Sequence, residues 1–277
     1  MTPPIDADTL RRLLRHEAEV HAIPGRVLRD LGDSLLLHDP LDHEPFWNRL
    51  EGVVWPSEPA AFDRRLGEAG IMFASIGRQP HVWASPPHDE PSDLAARLAA
   101  NGFEDMGKGL LMIARDGEPA RAVLATRQDD ATVLERLSDF DGPVAEQAAE
   151  VIVGVLFDAF GVGPARRDGI VAETIASLGD PRFTYYLVRH ADEPVAVARR
   201  ATFGGLSYLS SIGTVDRTRG RGFGRLVTAS AVRDALEAGS EWVHLGVFAD
   251  NPPAIALYER LGFVMSGDPG PDMMLVG

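Results

Sequence analysis

A glycine-rich segment at residues 219–225 (RGRGFGR) contains the residue types that most directly predict a binding site in this 277-residue chain. Glycines have no Cβ, so successive backbone N–H groups can turn toward one point and an anion can approach closely. The segment follows a predicted strand at residues 206–215 and precedes residues whose apolar spacing predicts a helix. Because the N-terminus of a helix carries partial positive charge, we expect this loop to hold a phosphate group.

The loop matches neither of the two standard nucleotide-binding patterns. It lacks the Gly-Lys-Ser/Thr ending of a P-loop, and no acidic residue ends a second strand about 20 residues later. Glu241 lies near that distance, but it opens the predicted strand at residues 242–248 instead of ending it. The loop alone therefore predicts an anion site and leaves the ligand open.

A second motif, at residues 251–263 (NPPAIALYERLGF), lies one predicted strand beyond the helix of the loop. Asn251 and Pro252 are suited to begin a helix, and Gly262 to end it. Together, Arg-x-x-Gly-x-Gly and the later Asn-x-x-Ala-x-x-Leu-Tyr-x-x-x-Gly-Phe resemble the motifs of the GNAT superfamily of N-acetyltransferases. The resemblance extends over residues 120–277.

The resemblance implies an α/β (α+β) fold with a mixed, mostly antiparallel central sheet flanked by helices. It also implies acetyl-CoA as co-substrate, with its pyrophosphate bound by the backbone amides of the loop. The loop residues assigned to the cofactor are Arg219, Gly220, Arg221, Gly222, Phe223, Gly224 and Arg225. The main chain of Ile212 and Thr214 would pair with the pantetheine arm like an added strand, and Asn251 would contact the cofactor. One amide of that strand would polarise the thioester carbonyl.

The resemblance assigns the general acid to Tyr258. A phenol with a pKa near 10 can protonate a departing thiolate without being ionised at neutral pH, although an ordinary half-buried helix tyrosine is the alternative. The base is not identified, because Gly246 stands where many relatives carry a glutamate, and the strand at residues 206–215 contains no acid. We expect the acceptor amine to lose its proton through ordered water.

Three side chains could assist this water: Ser210, Tyr208 and His244. Each of them is also explained simply as a residue of a strand. None is therefore assigned a catalytic role from the sequence.

Composition limits the class of function. With 45% apolar and 25% charged residues, no long apolar run and no N-terminal signal segment, we expect a cytoplasmic protein. The formal net charge of -14 argues against binding of nucleic acid and favours a cationic substrate, although acidity that only maintains solubility explains it equally well. The absence of cysteine excludes disulfides and thiolate chemistry. His38 and His43 flank two aspartates, but a polar loop explains them better than a metal site.

The length is sufficient for two domains, which we place at residues 1–118 and 119–277, with Glu118-Pro119 as linker. Hydrophobic periodicity predicts the elements of both halves. The predicted strands are 33–38, 71–76, 81–84, 121–126, 183–190, 195–203, 206–215, 242–248, 263–265 and 273–276. The predicted helices are 7–20, 92–100, 128–140, 144–160, 167–178, the segment after the loop, and 251–261.

The two halves also share a short pattern. Residues 97–107 align with 257–267, since each consists of a helix end, Gly-Phe and a strand. Leu98 falls where Tyr258 stands, and no glycine-rich loop precedes it. Any helix that ends at a glycine can produce such a match, or the N-terminal half is a degenerate, catalytically empty copy in a tandem GNAT protein.

The leading prediction is an acetyl-CoA-dependent N-acetyltransferase that transfers acetyl directly to a primary amine, preferably of a small molecule. Polyamines, amino sugars, aminoglycosides and amino-acid derivatives stay open as acceptors, including the cysteinyl intermediate used by mycothiol-synthase-like tandem relatives. The alternative is a sensor that binds acetyl-CoA or another acyl-CoA without turnover, which the missing glutamate favours and Tyr258 opposes. A tandem protein can be monomeric, because its second half supplies the partner surface.

Overall fold

The computed structural model describes residues 5–22, 25–85, 88–126 and 129–276. Within these ranges the helices are α1 (Ala7–Ala22), α2 (Pro59–Ser75), α3 (Leu94–Ala100), α4 (Glu118–Ala125), α5 (Gly142–Phe160), α6 (Arg167–Leu178), α7 (Phe223–Glu237) and α8 (Pro252–Glu259). The strands are β1 (Val27–Asp30), β2 (Leu35–His38), β3 (Arg49–Glu51), β4 (His81–Trp83), β5 (Phe103–Ala114), β6 (Thr132–Leu137), β7 (Phe183–His190), β8 (Glu193–Phe203), β9 (Leu206–Thr214), β10 (Trp242–Phe248), β11 (Val264–Met265) and β12 (Gly270–Leu275). In these ranges, no helix is both long enough and apolar enough to span a membrane.

The strands described here form one sheet in the order β1-β2-β3-β4-β12-β5-β10-β9-β8-β7-β6, with β11 paired to β5. Most neighbours are antiparallel; β3 with β4 and β9 with β10 are parallel. The mixed, mostly antiparallel sheet confirms the expected fold class. The C-terminal strand β12 lies between β4 and β5, so the sheet continues from the N-terminal half (residues 1–118) into the C-terminal half (residues 119–277).

Side chains along the strands of the C-terminal half alternate between the two faces of the sheet, and helices cover both faces. On β7, Tyr186 and Val188 belong to the core under α7, whereas Tyr185 and Leu187 belong to the core under α5 and α6. Successive side chains of a strand point to opposite faces, so each strand here supplies two cores. The apolar stripe predicted after the loop is buried as expected, and α7 lies on the face of the sheet that includes Leu209 of β9.

Three predicted elements are wrong. Residues 121–126 form most of helix α4, because Pro119 occupies its first turn and Ala120 is buried; the predicted linker at Glu118-Pro119 is therefore the start of that helix. Residues 132–137 form strand β6 at the sheet edge, where pairing with β7 overrides the helix-like spacing of the leucines; Gln128 lies outside the described residues. The apolar run at 71–76 falls in the last turns of α2, where Phe73 packs into the N-terminal core.

The helix–glycine–strand pattern shared by the two halves recurs in the backbone. Gly102, after α3, and Gly262, after α8, have φ angles of 87° and 88°. This left-handed conformation favours glycine and ends both helices before a strand. The interpretation of the N-terminal half as a degenerate copy, and the domain limits, stay predictions.

Candidate active site

The glycine-rich loop follows β9 through a single 3-10 turn and leads directly into α7. Gly220 and Gly222 have φ angles of 77° and 90°, which side chains other than glycine rarely adopt. Gly222 is the N-cap of α7, and its first turn receives no hydrogen bond from a capping side chain. The N–H groups of that turn have no acceptor within the helix and can bind an anion.

The loop arginines are held in different ways. The Arg219 side chain donates to the main-chain oxygen of Ala159 at 2.6 Å, and its guanidinium pairs with Asp216. The Arg221 guanidinium lies 2.8 Å from His190 Nε2 and 5.0 Å from the Phe223 ring centroid. Arg225, by contrast, is exposed and has no ion pair with any residue in the described ranges. The Phe223 side chain is buried, so Phe223 can contribute to an anion site only through its main chain.

Strands β9 and β10 separate next to this loop. Their parallel pairing ends at His244 and Tyr208; beyond it β10 pairs only with β5, and β9 only with β8. Ser211 has a φ of 51°, and the register of β9 against β8 shifts beside it. The resulting bulge leaves the β10-facing edge of β9 unpaired around Ile212 and Thr214 in the described part of the chain, as an extended ligand would require.

Small residues bring the helix close to this edge. A Cβ on Gly224, in the first turn of α7, would lie 2.7 Å from Thr214 Oγ1. A Cβ on Gly213 would lie 2.9 Å from the Cβ of Ala159 on α5. Both helices therefore contact β9 more closely than a larger residue would permit, and the loop and the strand edge are neighbours.

Tyr258, near the end of α8, lies on the same side of the sheet as α7. It is 7% exposed, and it shares a core cluster with Leu209 of β9 and Leu245 of β10. Burial raises the pKa of Tyr258 to about 12, so the phenol is protonated at neutral pH. No residue in the described ranges hydrogen-bonds to its hydroxyl. At the other end of the helix, the Asn251 side chain accepts a hydrogen bond from the Ala254 N–H at 3.3 Å, as predicted for an N-cap.

A small cavity of about 40 Å³, open to solvent, lies on the other face of the sheet and is lined by residues of both halves. Its wall includes Gly246 of β10, and two carboxylates, Glu17 of α1 and Asp268, belong to it. The rest is mainly apolar and includes Leu10, Leu14, Trp83, Leu110 and Leu111. No cluster of three metal-ligating side chains occurs among the residues that the structure describes. The two carboxylates and the mainly apolar wall favour a cationic group next to an apolar part.

Residues 158–263 match the family described as "Acetyltransferase (GNAT) family". The chain contains a GNAT acetyltransferase domain. A mycothiol acetyltransferase of Nocardiopsis dassonvillei is 44% identical over 54 residues, 20% of this chain and only 16% of that relative. A mycothiol acetyltransferase of Streptomyces scabiei is 28% identical over 248 residues, 86% of this chain and 76% of the relative.

Solved structures show the same fold at low identity. A GCN5-related N-acetyltransferase from Kribbella flavida superposes with a TM-score of 0.69 at 22% identity, covering 100% of this chain and 97% of that one. A tandem GNAT protein from the clavulanic acid biosynthesis pathway has a TM-score of 0.61 at 15% identity and covers 99% of this chain and 96% of its own. Both likenesses extend across the N-terminal half as well as the GNAT domain.

The three side chains considered for assisting proton removal have structural partners in this fold. Ser210 Oγ accepts a hydrogen bond from Arg199 Nε at 3.0 Å. His244 is fully buried, 2.9 Å from His16 Nδ1; burial, then the neighbouring His16 and His21, hold the pKa of His244 well below its usual range. A neutral, buried imidazole with a histidine partner does not reach the cavity. The simpler interpretation of Ser210 and His244 as strand residues agrees with these contacts.

Two carboxylates at this site, Glu17 and Asp268, are not indicated by any motif of the sequence, and only Glu17 is buried. Glu17 Oε1 accepts a hydrogen bond from the Tyr208 hydroxyl at 3.0 Å, and Glu17 is only 8% exposed. The only local signal was a glutamate on the buried face of a helix that otherwise carries Leu13 and Val20 there. Because α1 precedes β10 by more than two hundred residues in the chain, no spacing in the sequence associates Glu17 with Gly246.

Proposed function

We propose that the protein is an acetyl-CoA-dependent N-acetyltransferase that transfers acetyl directly to a primary amine of a small molecule. Strands β9 and β10 separate beyond Tyr208 and His244, and we call this opening the fork. It is the observation that carries this proposal. It combines an unpaired strand edge, an uncapped helix N-terminus and a protonated tyrosine within the GNAT domain. No other described part of the chain offers an anion site, an extended main-chain edge and a proton donor together.

Acetyl-CoA fits this fork through the residues predicted from the motifs. The pyrophosphate would be held by main-chain amides from Gly220 to Arg225, with the exposed Arg225 adding charge. The pantetheine amides would pair with the β9 edge at Ile212 and Thr214. The bound thioester supplies the activated acetyl group, and Tyr258 would hold the proton that the leaving thiolate needs.

The acceptor would enter the cavity between the two halves, on the opposite side of the fork. Its apolar wall and two carboxylates favour a cationic amine with an apolar portion over a sugar, whose hydroxyl groups this wall could not pair. The small-molecule class is also supported by the relatives, whose names specify mycothiol acetylation. The cytoplasmic location, the monomeric state and the absence of nucleic-acid binding stay predictions from the sequence.

A non-catalytic sensor of acetyl-CoA is the second candidate function, and Gly246 is the observation that favours it. A sensor needs the anion site and the strand edge but has no use for a proton donor or for an acceptor cavity. Turnover with an amine therefore separates the two functions.

The first experiment is calorimetric titration with acetyl-CoA at low and moderate salt, followed by thiol release from acetyl-CoA with four amines: tryptamine, spermidine, glucosamine and S-methylcysteine. We expect saturable one-site binding that weakens with salt, because phosphate contacts are screened. Thiol release with at least one amine, confirmed by mass spectrometry of the N-acetyl product, supports the enzyme. Binding without release supports the sensor, and absence of binding contradicts both functions.

A further inference from the structure

The two strands that border the fork offer no carboxylate to the acceptor. Neither β9 (LSYLSSIGT) nor β10 (WVHLGVF) contains an acidic residue, and the neutral His244 is buried. An amine is bound mainly as an ammonium ion at neutral pH, and it must lose a proton before nitrogen can attack a thioester. A proton acceptor on the cavity side is therefore required from elsewhere in the molecule.

The N-terminal half brings a carboxylate to that point. A Cβ built on Gly246 would lie 3.5 Å from Glu17 Oε1 and 3.4 Å from the Tyr208 hydroxyl. The first distance is comparable to the separation between Cβ and the carboxylate oxygens within one glutamate side chain. Glu17 lines the cavity, and its Oε2 has no hydrogen-bond partner in the described part of the chain.

We propose that Glu17, supplied by the N-terminal half, is the general base for the acceptor amine, and that its carboxylate occupies the place a side chain at Gly246 would otherwise take. The inference rests on the proposed acetyltransferase function and adds a catalytic residue to it. It also gives the N-terminal half a direct role in the reaction.

The surroundings of Glu17 favour its protonation relative to an exposed carboxylate. Burial raises the pKa of Glu17, opposed by the charge of Arg49 and by the hydrogen bond from Tyr208. From its own helix, the neutral imidazole of His21 approaches Oε1 at 3.6 Å, and from β3 the buried Glu51 is a second nearby carboxyl. A base whose pKa is raised toward the working pH accepts a proton more readily than an exposed carboxylate.

The proton and electron movements balance with Glu17, Tyr258 and solvent water. The ammonium group transfers one proton to the Glu17 carboxylate, and the nitrogen lone pair then forms the C–N bond at the thioester carbonyl carbon. The C–S bond breaks with its electron pair on sulfur, which takes the Tyr258 proton and leaves as CoA thiol. The new amide nitrogen returns its extra proton to the tyrosinate through solvent, and Glu17 releases its proton to solvent.

Asp268, the other carboxylate of the cavity, fits the role less well. It lies on the exposed segment between β11 and β12, whereas Glu17 is held by Tyr208 against the strand that borders the fork. An exposed carboxylate on a loop is better suited to attract the ammonium ion than to hold it for reaction.

Three variants test the base: Glu17→Gln, Glu17→Asp and, as a matched control, Glu19→Gln, which removes the same charge from a partly exposed position of α1. The rates are measured with the amine among tryptamine, spermidine, glucosamine and S-methylcysteine that the wild type acetylates fastest. We expect E17Q to lose about 10²–10³-fold in kcat with acetyl-CoA affinity unchanged, since general bases contribute on this scale. E17D retains part of the rate, and E19Q behaves like the wild type.

The pH profile distinguishes a base from a structural residue. Wild-type kcat falls as pH decreases and Glu17 is protonated, and this acidic limb is absent in E17Q. A second test moves the carboxylate: Gly246 has no left-handed φ, so a side chain fits there, and the double variant Glu17→Ala/Gly246→Glu should recover at least tenfold over Glu17→Ala. That recovery keeps the test valid even if E17Q folds poorly.

Several outcomes would overturn the proposal. If E17Q has a kcat within threefold of wild type and an unchanged acidic limb, Glu17 is not the general base. A loss of kcat that is matched by a loss of acetyl-CoA affinity and is not recovered by the double variant makes Glu17 structural. A wild type that binds acetyl-CoA but acetylates none of the four amines contradicts the proposed function itself, and the inference with it.

Discussion

The proposed cofactor side and the proposed acceptor side of the candidate site are formed by different parts of the protein, the main chain in one case and side chains in the other. The proposed cofactor side, called the cofactor side below, consists of main chain from one continuous stretch: the edge of β9, the glycine-rich loop and the start of α7. The proposed acceptor side, called the acceptor side below, consists of side chains from four distant segments, on α1, β4, β5 and the chain between β11 and β12, gathered around Gly246. Main-chain sites require glycines at fixed positions and so mark the sequence locally. Side-chain sites formed by tertiary packing carry no such local mark.

The N-terminal and C-terminal halves of the chain are joined by a buried group of charges. Glu173, on α6, accepts from Arg26 at 2.7 Å and from Arg199 of β8 at 2.8 Å. Arg26 follows α1, which carries Glu17, and it also pairs with Asp39 at 3.0 Å. The helix of the acceptor side is thus attached to the sheet of the GNAT domain. We expect the integrity of this group to matter for the whole molecule and not for one side only.

The largest effect is expected at the proton donor of the cofactor side, Tyr258→Phe. Without the hydroxyl, the thiolate leaves unprotonated, and we expect kcat to fall about 10³-fold while the affinity for acetyl-CoA stays within twofold. Steady-state kinetics and calorimetry measure the two quantities. The matched control is Tyr186→Phe, which removes a buried hydroxyl bonded to Asp234 at 2.8 Å and should lower stability by about 1 kcal/mol without affecting kcat. Equal activity in Y258F and wild type would show that Tyr258 is not the general acid.

The link between the two halves is tested by Glu173→Gln. Burial alone would raise the pKa of Glu173, but Arg199 and Arg26 outweigh it and hold the pKa at about 2. A folded-state pKa below the unfolded value stabilises the protein above pH 4.5, and this contribution is lost as pH falls toward 2. We expect E173Q to lose about 3 kcal/mol at pH 7, because two buried arginines lose their counter-charge. Urea unfolding at several pH values should show a smaller decrease between pH 5 and pH 2 in E173Q, and an unchanged slope would contradict the assignment.

The main-chain character of the cofactor side is tested by Gly222→Ala. With φ at 90°, any Cβ there is strained, so the loop shifts and acetyl-CoA binding should weaken about tenfold, about 1.4 kcal/mol. The matched control is Gly239→Ala, at φ 87° beyond the other end of α7, where the strain is similar and no ligand is expected. Calorimetry should find weaker binding only in G222A. Equal affinities in the two variants would show that the loop geometry does not determine binding.

The smallest effect concerns the hydroxyl that holds the proposed base, in Tyr208→Phe. The hydrogen bond from Tyr208 lowers the pKa of Glu17, so its removal should raise that pKa further. The acidic limb of kcat would then move to higher pH by less than one pH unit, with the plateau rate changed by only a few fold. If the acidic limb moves to lower pH or stays in place, the Tyr208 hydroxyl does not lower the pKa of the catalytic base.

The secondary structure of the GNAT domain followed from local patterns where those patterns were strong. Alternation identified β7, β8, β9 and β10 to within two residues at each end, and Asn251 with Pro252 identified the start of α8. The errors lie where the tertiary context decides. Strand β6 has leucines at helical spacing but pairs at the sheet edge, and α4 is a short helix whose buried Ala120 faces α7.

The sequence by itself determined the cofactor side: the glycines of the loop, the helix starts and the order of strands are properties of neighbouring residues, and they identified the GNAT domain. Only the tertiary structure decided the acceptor side. The separation of β9 from β10 depends on which strands pair, and the position of Glu17 beside Gly246 depends on how α1 packs across the sheet. Contacts between residues far apart in the chain arise from burial of common surfaces, which leaves no spacing for a single sequence to reveal.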